Sequence, residues 1–163
     1  MKTPPEDSFA LLRAYLGADY SAGDGARKWL LRIGQTPQGE AEADVALAFL
    51  TAWNPRSLAR GERENTTAMA DLRAALERDG ARVLDGEGSC PEGTWSEPSF
   101  LALGLSPERA DAHAARYEQN AIVTARAGEP ARLRVYRVEW KEPVEAASID
   151  TRFIDWVASP IVE

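Results

Sequence analysis

The stretch that most constrains this chain is residues 43–57, Ala-Asp-Val-Ala-Leu-Ala-Phe-Leu-Thr-Ala-Trp-Asn-Pro-Arg-Ser. Val45, Leu47, Phe49, Thr51 and Trp53 share one face of an extended chain; Ala46, Ala48, Leu50 and Ala52 share the other. Alternation with both faces apolar marks a strand covered on two sides, interior to its sheet. Asn54-Pro55 stops it, because proline lacks the N–H that pairing needs. The strand thereby delivers Asn54, Arg56 and Ser57 to one end of a buried sheet, where ligands often bind.

Other elements follow from spacing. Residues 6–16 read as a helix with Phe9, Leu12 and Leu16 inward, 17–25 as loop, 28–34 as a strand and 35–42 as a polar turn or hairpin loop. The strongest helix pattern covers 58–79, where Asn65, Ala68, Met69, Leu72, Ala75 and Leu76 form one stripe. Ser57 is its candidate cap, Gly61 delays the regular start to about residue 62, and Gly80 ends it. Arg82–Asp85 reads as a short strand, 86–93 as a glycine-rich loop, and Trp95–Leu105 as a strand. Ser106-Pro107 opens a helix whose inward stripe is Ala110, His113, Ala114 and Tyr117. Residues 121–126 and 131–138 form a hairpin about Gly128-Glu129-Pro130, and Ile149, Phe153 and Trp156 suggest a short helix packed on the body.

From residue 43 to 126 the order is strand, helix, strand, strand, helix, strand. That predicts an α+β fold with a ferredoxin-like βαββαβ core and a mixed or antiparallel sheet of about five or six strands, with at least three helices. Strands and helices at both ends would extend the sheet or cover its second face.

The 163 residues are expected to form a single domain, 1–163, with residues 139–163 as a C-terminal extension. A net charge of −7 argues against non-specific nucleic-acid binding, which depends on neutralising phosphates. Cys90 and His113 stand alone, so no internal disulfide, metal or cofactor is expected. An apolar run of about 18 residues and a signal-peptide core are both missing, which predicts a cytoplasmic protein with no membrane partner. Phosphate-loop, dinucleotide, nucleophile-elbow and zinc-protease motifs are absent; Gly86-Glu87-Gly88 lacks the third glycine and the following helix.

The fold order brings polar residues to one place. Asn54, Arg56, Ser57, Asn65, Ser99 and Gln119 are the candidate ligand-binding residues, and Glu97 is the candidate acid or base. Arg56 would grip a carboxylate or phosphate by paired donors, so the expected partner is a small anionic molecule. Trp53 and Trp95 would shield Arg56 and Glu97 from water, and the two charges are expected to pair. Each residue also has a purely structural use: Asn54 in a turn, Asn65 bracing a loop, the two charges fixing geometry. That alternative makes the chain a non-enzymatic interaction or regulatory module, with a buried polar brace, an acidic surface and a protein partner.

Four ordered blocks carry a family resemblance: Thr51-Ala-Trp-Asn-Pro-Arg-Ser57, Glu64-Asn65, Trp95-Ser-Glu-Pro-Ser-Phe-Leu101 and Gln119-Asn-Ala-Ile-Val123. They resemble the bacterial domain of unknown function 3293, over about residues 9–127. The resemblance implies a small bacterial cytoplasmic protein and carries no activity with it. Its blocks coincide with the polar constellation.

Overall fold

The computed structural model describes residues 5–23, 28–40, 44–93 and 95–158. Among them lie four α-helices: α1 (Pro5–Gly17), α2 (Glu62–Arg78), α3 (Pro107–Arg116) and α4 (Lys141–Ala146). Eight strands form one sheet: β1 (Asp19–Gly23), β2 (Lys28–Leu31), β3 (Ala46–Leu50), β4 (Arg82–Ser89), β5 (Ser96–Leu103), β6 (Ala121–Arg126), β7 (Arg132–Val135) and β8 (Ile154–Trp156). Their spatial order is β2-β1-β4-β5-β3-β6-β7-β8. Every neighbouring pair is antiparallel except β7 and β8, which run parallel, so the fold is α+β with a mixed sheet.

β3 lies inside the sheet, as its two apolar faces require. Phe49 is opposite Leu101 on β5 and Val123 on β6. Leu47 and Phe49 bury into the face shared with Leu84, Leu101, Val123 and Leu133, which Leu12 of α1 and Val144 of α4 cover. Ala48 and Leu50 bury into the opposite face, where Met69, Leu72 and Leu76 of α2 meet Ala110 and Ala114 of α3. The inward stripe of α2 is the one its spacing predicts, with Asn65 as buried as the leucines. The Ser106 hydroxyl caps α3 by accepting from the Arg109 N–H, and Pro107 opens the first turn.

Three regions differ from the sequence reading, and the sheet has eight strands where about five or six were expected. Residues 19–23 are strand β1, not loop, with Tyr20 and Ala22 buried and the exposed Ser21 between them. β4 runs on through Gly86 and Gly88 to Ser89, into the stretch read as a loop. Residues 154–156 form β8, paired to β7 through Leu133 and Ile154, where a short helix was expected. Short strands of mixed composition have little alternation to display, and each of these depends on a neighbour distant in sequence.

Of the two glycines of β4, only Gly86 is required by what lies across it. Gly86 faces Ala22, and a β-carbon there would sit 2.6 Å from the Ser21 carbonyl oxygen and 3.0 Å from the Phe49 ring. At Gly88, opposite Tyr20, the nearest atoms would be Trp95 at 3.4 Å and Tyr20 at 3.6 Å, ordinary contact. Gly86→Ala is therefore expected to cost about 1–3 kcal/mol by forcing β1 away from β4, and Gly88→Ala much less. Urea denaturation of both variants measures the difference.

Candidate functional site

The end of β3 is built by a clasp of two asparagines. Asn65, 1% exposed, accepts on its side-chain oxygen from the Asn54 N–H at 2.9 Å and from Arg60 Nε at 2.7 Å. Its Nδ2 donates to Asn54 Oδ1 at 2.8 Å, and that oxygen also accepts from the Arg60 N–H at 3.2 Å. Arg60 Nη2 reaches the Ala52 carbonyl at 3.0 Å. These bonds hold a turn in which Asn54, Arg56 and Ser57 all have left-handed φ, at 42°, 56° and 60°. Asparagine tolerates that region through local hydrogen bonding; arginine and serine occupy it only where their surroundings over-determine them. The Arg56 N–H donates to the Glu118 carbonyl at 2.8 Å, tying the turn to the loop after α3.

The turn places the Ser57 hydroxyl 2.6 Å from the Tyr15 hydroxyl of α1. Asn120 Nδ2 donates to Ser57 Oγ at 3.2 Å and to Tyr15 Oη at 3.4 Å, and Arg137 Nη1 holds Asn120 Oδ1 at 3.2 Å. Because the guanidinium can only donate, it orients the amide with its NH2 group toward the two hydroxyls.

Between this network, the underside of α1 and the sheet is a cavity of about 780 Å3. That lies within the usual range for a small-molecule site. The register explains the shape of its wall. Tyr20, Gly88 and Glu97 stand in one row across β1, β4 and β5, and Ala22, Gly86 and Ser99 stand in the next. With no side chain at Gly88, the Tyr20 and Trp95 rings lean over the gap and the Glu97 side chain faces the cavity they border. Tyr20 and Phe49 meet edge to face at 5.2 Å.

Glu97 has no hydrogen-bond or ion-pair partner among the described residues, and burial alone pushes its carboxyl up to about 7. Its charge in turn raises the Tyr20 phenol, after the larger effect of burial, and adds to the burial that raises Tyr15. Both phenols stay protonated at neutral pH, and Tyr20 donates to the Tyr15 carbonyl at 2.5 Å.

Of the residues singled out in the sequence, Asn54, Ser57, Glu97, Ser99 and Gln119 line the cavity. Ser99 Oγ turns to the Glu97 carbonyl at 3.3 Å, and Gln119 Nε2 donates to the carbonyls of Tyr117 at 3.1 Å and Trp53 at 3.3 Å. Asn65 stands behind the wall as the clasp, and Arg56 points away from the cavity. The expected pairing of Arg56 with Glu97 does not form: Arg56 Nη2 meets Glu118 Oε1 at 2.9 Å, with the side chains 61% and 53% exposed. The left-handed backbone at Arg56 turns its side chain outward, which no reading of strand phase could foresee. His113 bonds Asp79 at 2.7 Å, linking α3 to the end of α2, and does not line the cavity.

The sequence reading missed Tyr15, Tyr20 and Arg60 as parts of this site. Tyr15 follows the apolar stripe of α1, and Tyr20 alternates with Ala18 and Ala22, a weak strand signal that could have found it. Among the described residues no group of three His, Cys, Asp or Glu side chains is placed to hold a metal, and no helix is long and apolar enough to cross a membrane.

Residues 50–122 match the family model described as "Protein of unknown function (DUF3293)". This segment belongs to that family. It runs from the last residue of β3 into β6 and so contains the Asn54–Asn65 clasp, Ser57, Glu97 and Asn120. Tyr15 and Tyr20, on α1 and β1, come from outside the matched segment. No curated protein and no solved structure matches the chain.

Two experiments follow from the geometry. A carboxyl raised from an ordinary 4.5 to about 7 by folding binds its proton more tightly in the native state. Its stabilising contribution is present below about pH 4.5 and is lost as pH rises through 7. Glu97→Gln, which mimics the protonated form, should therefore be about 2–3 kcal/mol more stable than wild type at pH 8.5, with the gap closing by pH 5. Urea titrations at several pH values read it. Arg56→Ala should cost no more than about 1 kcal/mol, and its loss should add to the effect of Glu97→Gln in a double-mutant cycle.

Proposed function

We propose that the cavity beneath α1 binds a small molecule and that Glu97 is its functional carboxyl, as a charge partner or as an acid and base. The observation that carries this reading is an unpaired carboxyl in the wall of a cavity large enough for a ligand. Among the described residues the fully buried acid is paired: Asp111 takes Arg134 at 2.6 Å and 2.7 Å and Tyr136 at 2.6 Å. A carboxyl without donors is unfavourable for folding, and a ligand that supplies a donor there would offset that cost. With a proton affinity near neutrality it populates both forms at working pH, the condition for general acid–base work.

The strained turn supports the same reading. Left-handed Arg56 and Ser57 bring a serine hydroxyl and a tyrosine hydroxyl together beside the cavity, and strain of this kind clusters at ligand sites. The anionic ligand expected from Arg56 has less support, because that guanidinium is engaged by Glu118 outside the cavity. The alternative of an interaction module finds its polar brace in Asn54, Asn65 and Arg60, all satisfied within the chain. A brace, however, needs neither a cavity nor an unpaired carboxyl.

We also read β3, α2, β4, β5, α3 and β6 as a ferredoxin-like core. Support comes from the strand order β4-β5-β3-β6, with α2 and α3 packed on one face. The bacterial, cytoplasmic setting belongs to the same proposal and rests on the family resemblance.

A ligand-observed NMR screen of small, mostly apolar compounds tests the binding site. Hits should perturb the Trp95 indole signal and raise the melting temperature by mass action. They should be lost in Ala14→Trp, which places a large ring on the α1 wall of the cavity. Hits that survive Ala14→Trp unchanged, or no compound touching the Trp95 signal, would remove the reading.

A further inference from the structure

We propose that the ligand of this cavity is an organic cation, a protonated or quaternary amine on an apolar skeleton, held by Glu97 against the rings of Tyr20, Phe49 and Trp95. The inference rests on the cavity being a binding site and adds the charge of what binds.

Four features converge on this choice. First, Glu97 has no donor among the described residues: Tyr20 donates to the Tyr15 carbonyl, and Ser99 turns its hydroxyl to the Glu97 main-chain carbonyl. An ammonium group supplies both the missing donor and the missing positive charge. Second, the row Tyr20–Gly88–Glu97 sets a carboxyl beside aromatic rings on one face of the sheet. Ring faces carry negative quadrupole potential and attract cations, most strongly where water is excluded.

Third, the protein's own cations near the cavity do not neutralise Glu97. Arg137 is bound to Asn120 and Glu139, Arg56 to Glu118, and Arg13, on the α1 wall of the cavity, is exposed to solvent. Fourth, a second carboxylate, Glu92, lines the same cavity and accepts from the Cys90 thiol at 3.0 Å. With Glu97 ionised, the wall holds two carboxylates, Glu92 and Glu97, and one guanidinium, Arg13. A small anion entering here would meet an unpaired like charge.

The pH response of binding separates the ligand classes. Among the described residues, the titratable or charged groups facing the cavity are Arg13 and Tyr15 from α1, Tyr20 from β1, Cys90 and Glu92 after β4, and Glu97 from β5. Burial holds Tyr15 and Tyr20 above their ordinary range, and the Cys90 hydrogen bond holds Glu92 below its own. Glu97, near 7, is the carboxyl that changes charge across neutrality. A cation needs the ionised form and binds more tightly as pH rises; an anion needs the protonated form and shows the opposite slope.

The test uses the full chain and three probes on one skeleton: 4-phenylbutylamine, 4-phenylbutanol and 4-phenylbutyrate. Affinities are read from the Trp95 indole signal by NMR at pH 5.5, 7 and 8.5, for wild type and Glu97→Gln. We expect the amine to bind best and to tighten by about thirtyfold from the lowest to the highest pH, as the ionised fraction of a group near 7 dictates. Glu97→Gln should weaken the amine by more than about tenfold and flatten its pH profile, while leaving the alcohol nearly unchanged. Melting temperatures of both proteins establish that the variant is folded, and the wild-type pH slope stands without it. Preference for the alcohol or the butyrate, or an amine affinity indifferent to Glu97, overturns the cation and leaves the cavity as a site for another ligand. No response of Trp95 to any of the three overturns the cation and the binding site together.

Discussion

The clasp between Asn54 and Asn65 is the interaction on which the candidate site of this molecule depends. Asn65 heads an otherwise apolar helical stripe, in a position where a leucine would pack. Its amide instead meets the Asn54 N–H and side chain at 2.9 Å and 2.8 Å, with Arg60 completing the set at 2.7 Å. A buried amide left unmatched is costly, so the cluster holds only when every member is present. What the clasp fixes is a backbone that would not otherwise persist: three left-handed residues within four positions. Through that turn, α2 and the end of β3 together decide where the Ser57 hydroxyl stands.

The opposite wall of the cavity is made by subtraction. In β4, glycine at positions 86 and 88 removes two side chains from one face of the sheet. The first lets β1 approach and Phe49 pack; the second lets Tyr20 and Trp95 close over a gap beside Glu97, which has no partner among the described residues. Desolvation is the sole cause of its raised proton affinity. The carboxyl is thus tuned by what its neighbours lack, whereas Asp111, also buried, is neutralised by Arg134. The contrast between the two acids within one fold separates a structural charge from an available one.

What could be read from the sequence follows how local each cause is. The interior position of β3 and the buried stripe of α2 were legible because two apolar faces, and a 3.6-residue period, require neighbours on stated sides. The cap and start of α3 were legible from Ser106-Pro107 alone. β1, the second half of β4, and β8 were not, since their pairing is specified across the sheet rather than along the chain. At the site, Glu97 was visible by strand phase, and Asn65 by its polarity in an apolar stripe. The pairing of Arg56 with Glu97 was misjudged because phase says nothing of a backbone that turns left-handed after the strand. Tyr20 carries only a weak local alternation with Ala18 and Ala22, and the pairing of β1 with Gly88 is specified across the sheet, not along the chain.

These separate causes meet in one consequence for how the family segment relates to the rest of the chain. Residues 50–122 contain the clasp, the strained turn, the glycine row and Glu97. They do not contain the surface that encloses them: α1 supplies Tyr15 and the covering wall, and β1 supplies Tyr20. Without that cover Glu97 would face water on an open sheet, and its proton affinity would return toward the ordinary carboxyl range, because burial is what raises it. The N-terminal helix and strand therefore do more than extend the sheet. They convert a polar notch at the end of β3 into a walled cavity bordered by the Glu97 carboxyl, and the chemistry proposed for the site belongs to that assembly and not to the matched segment alone.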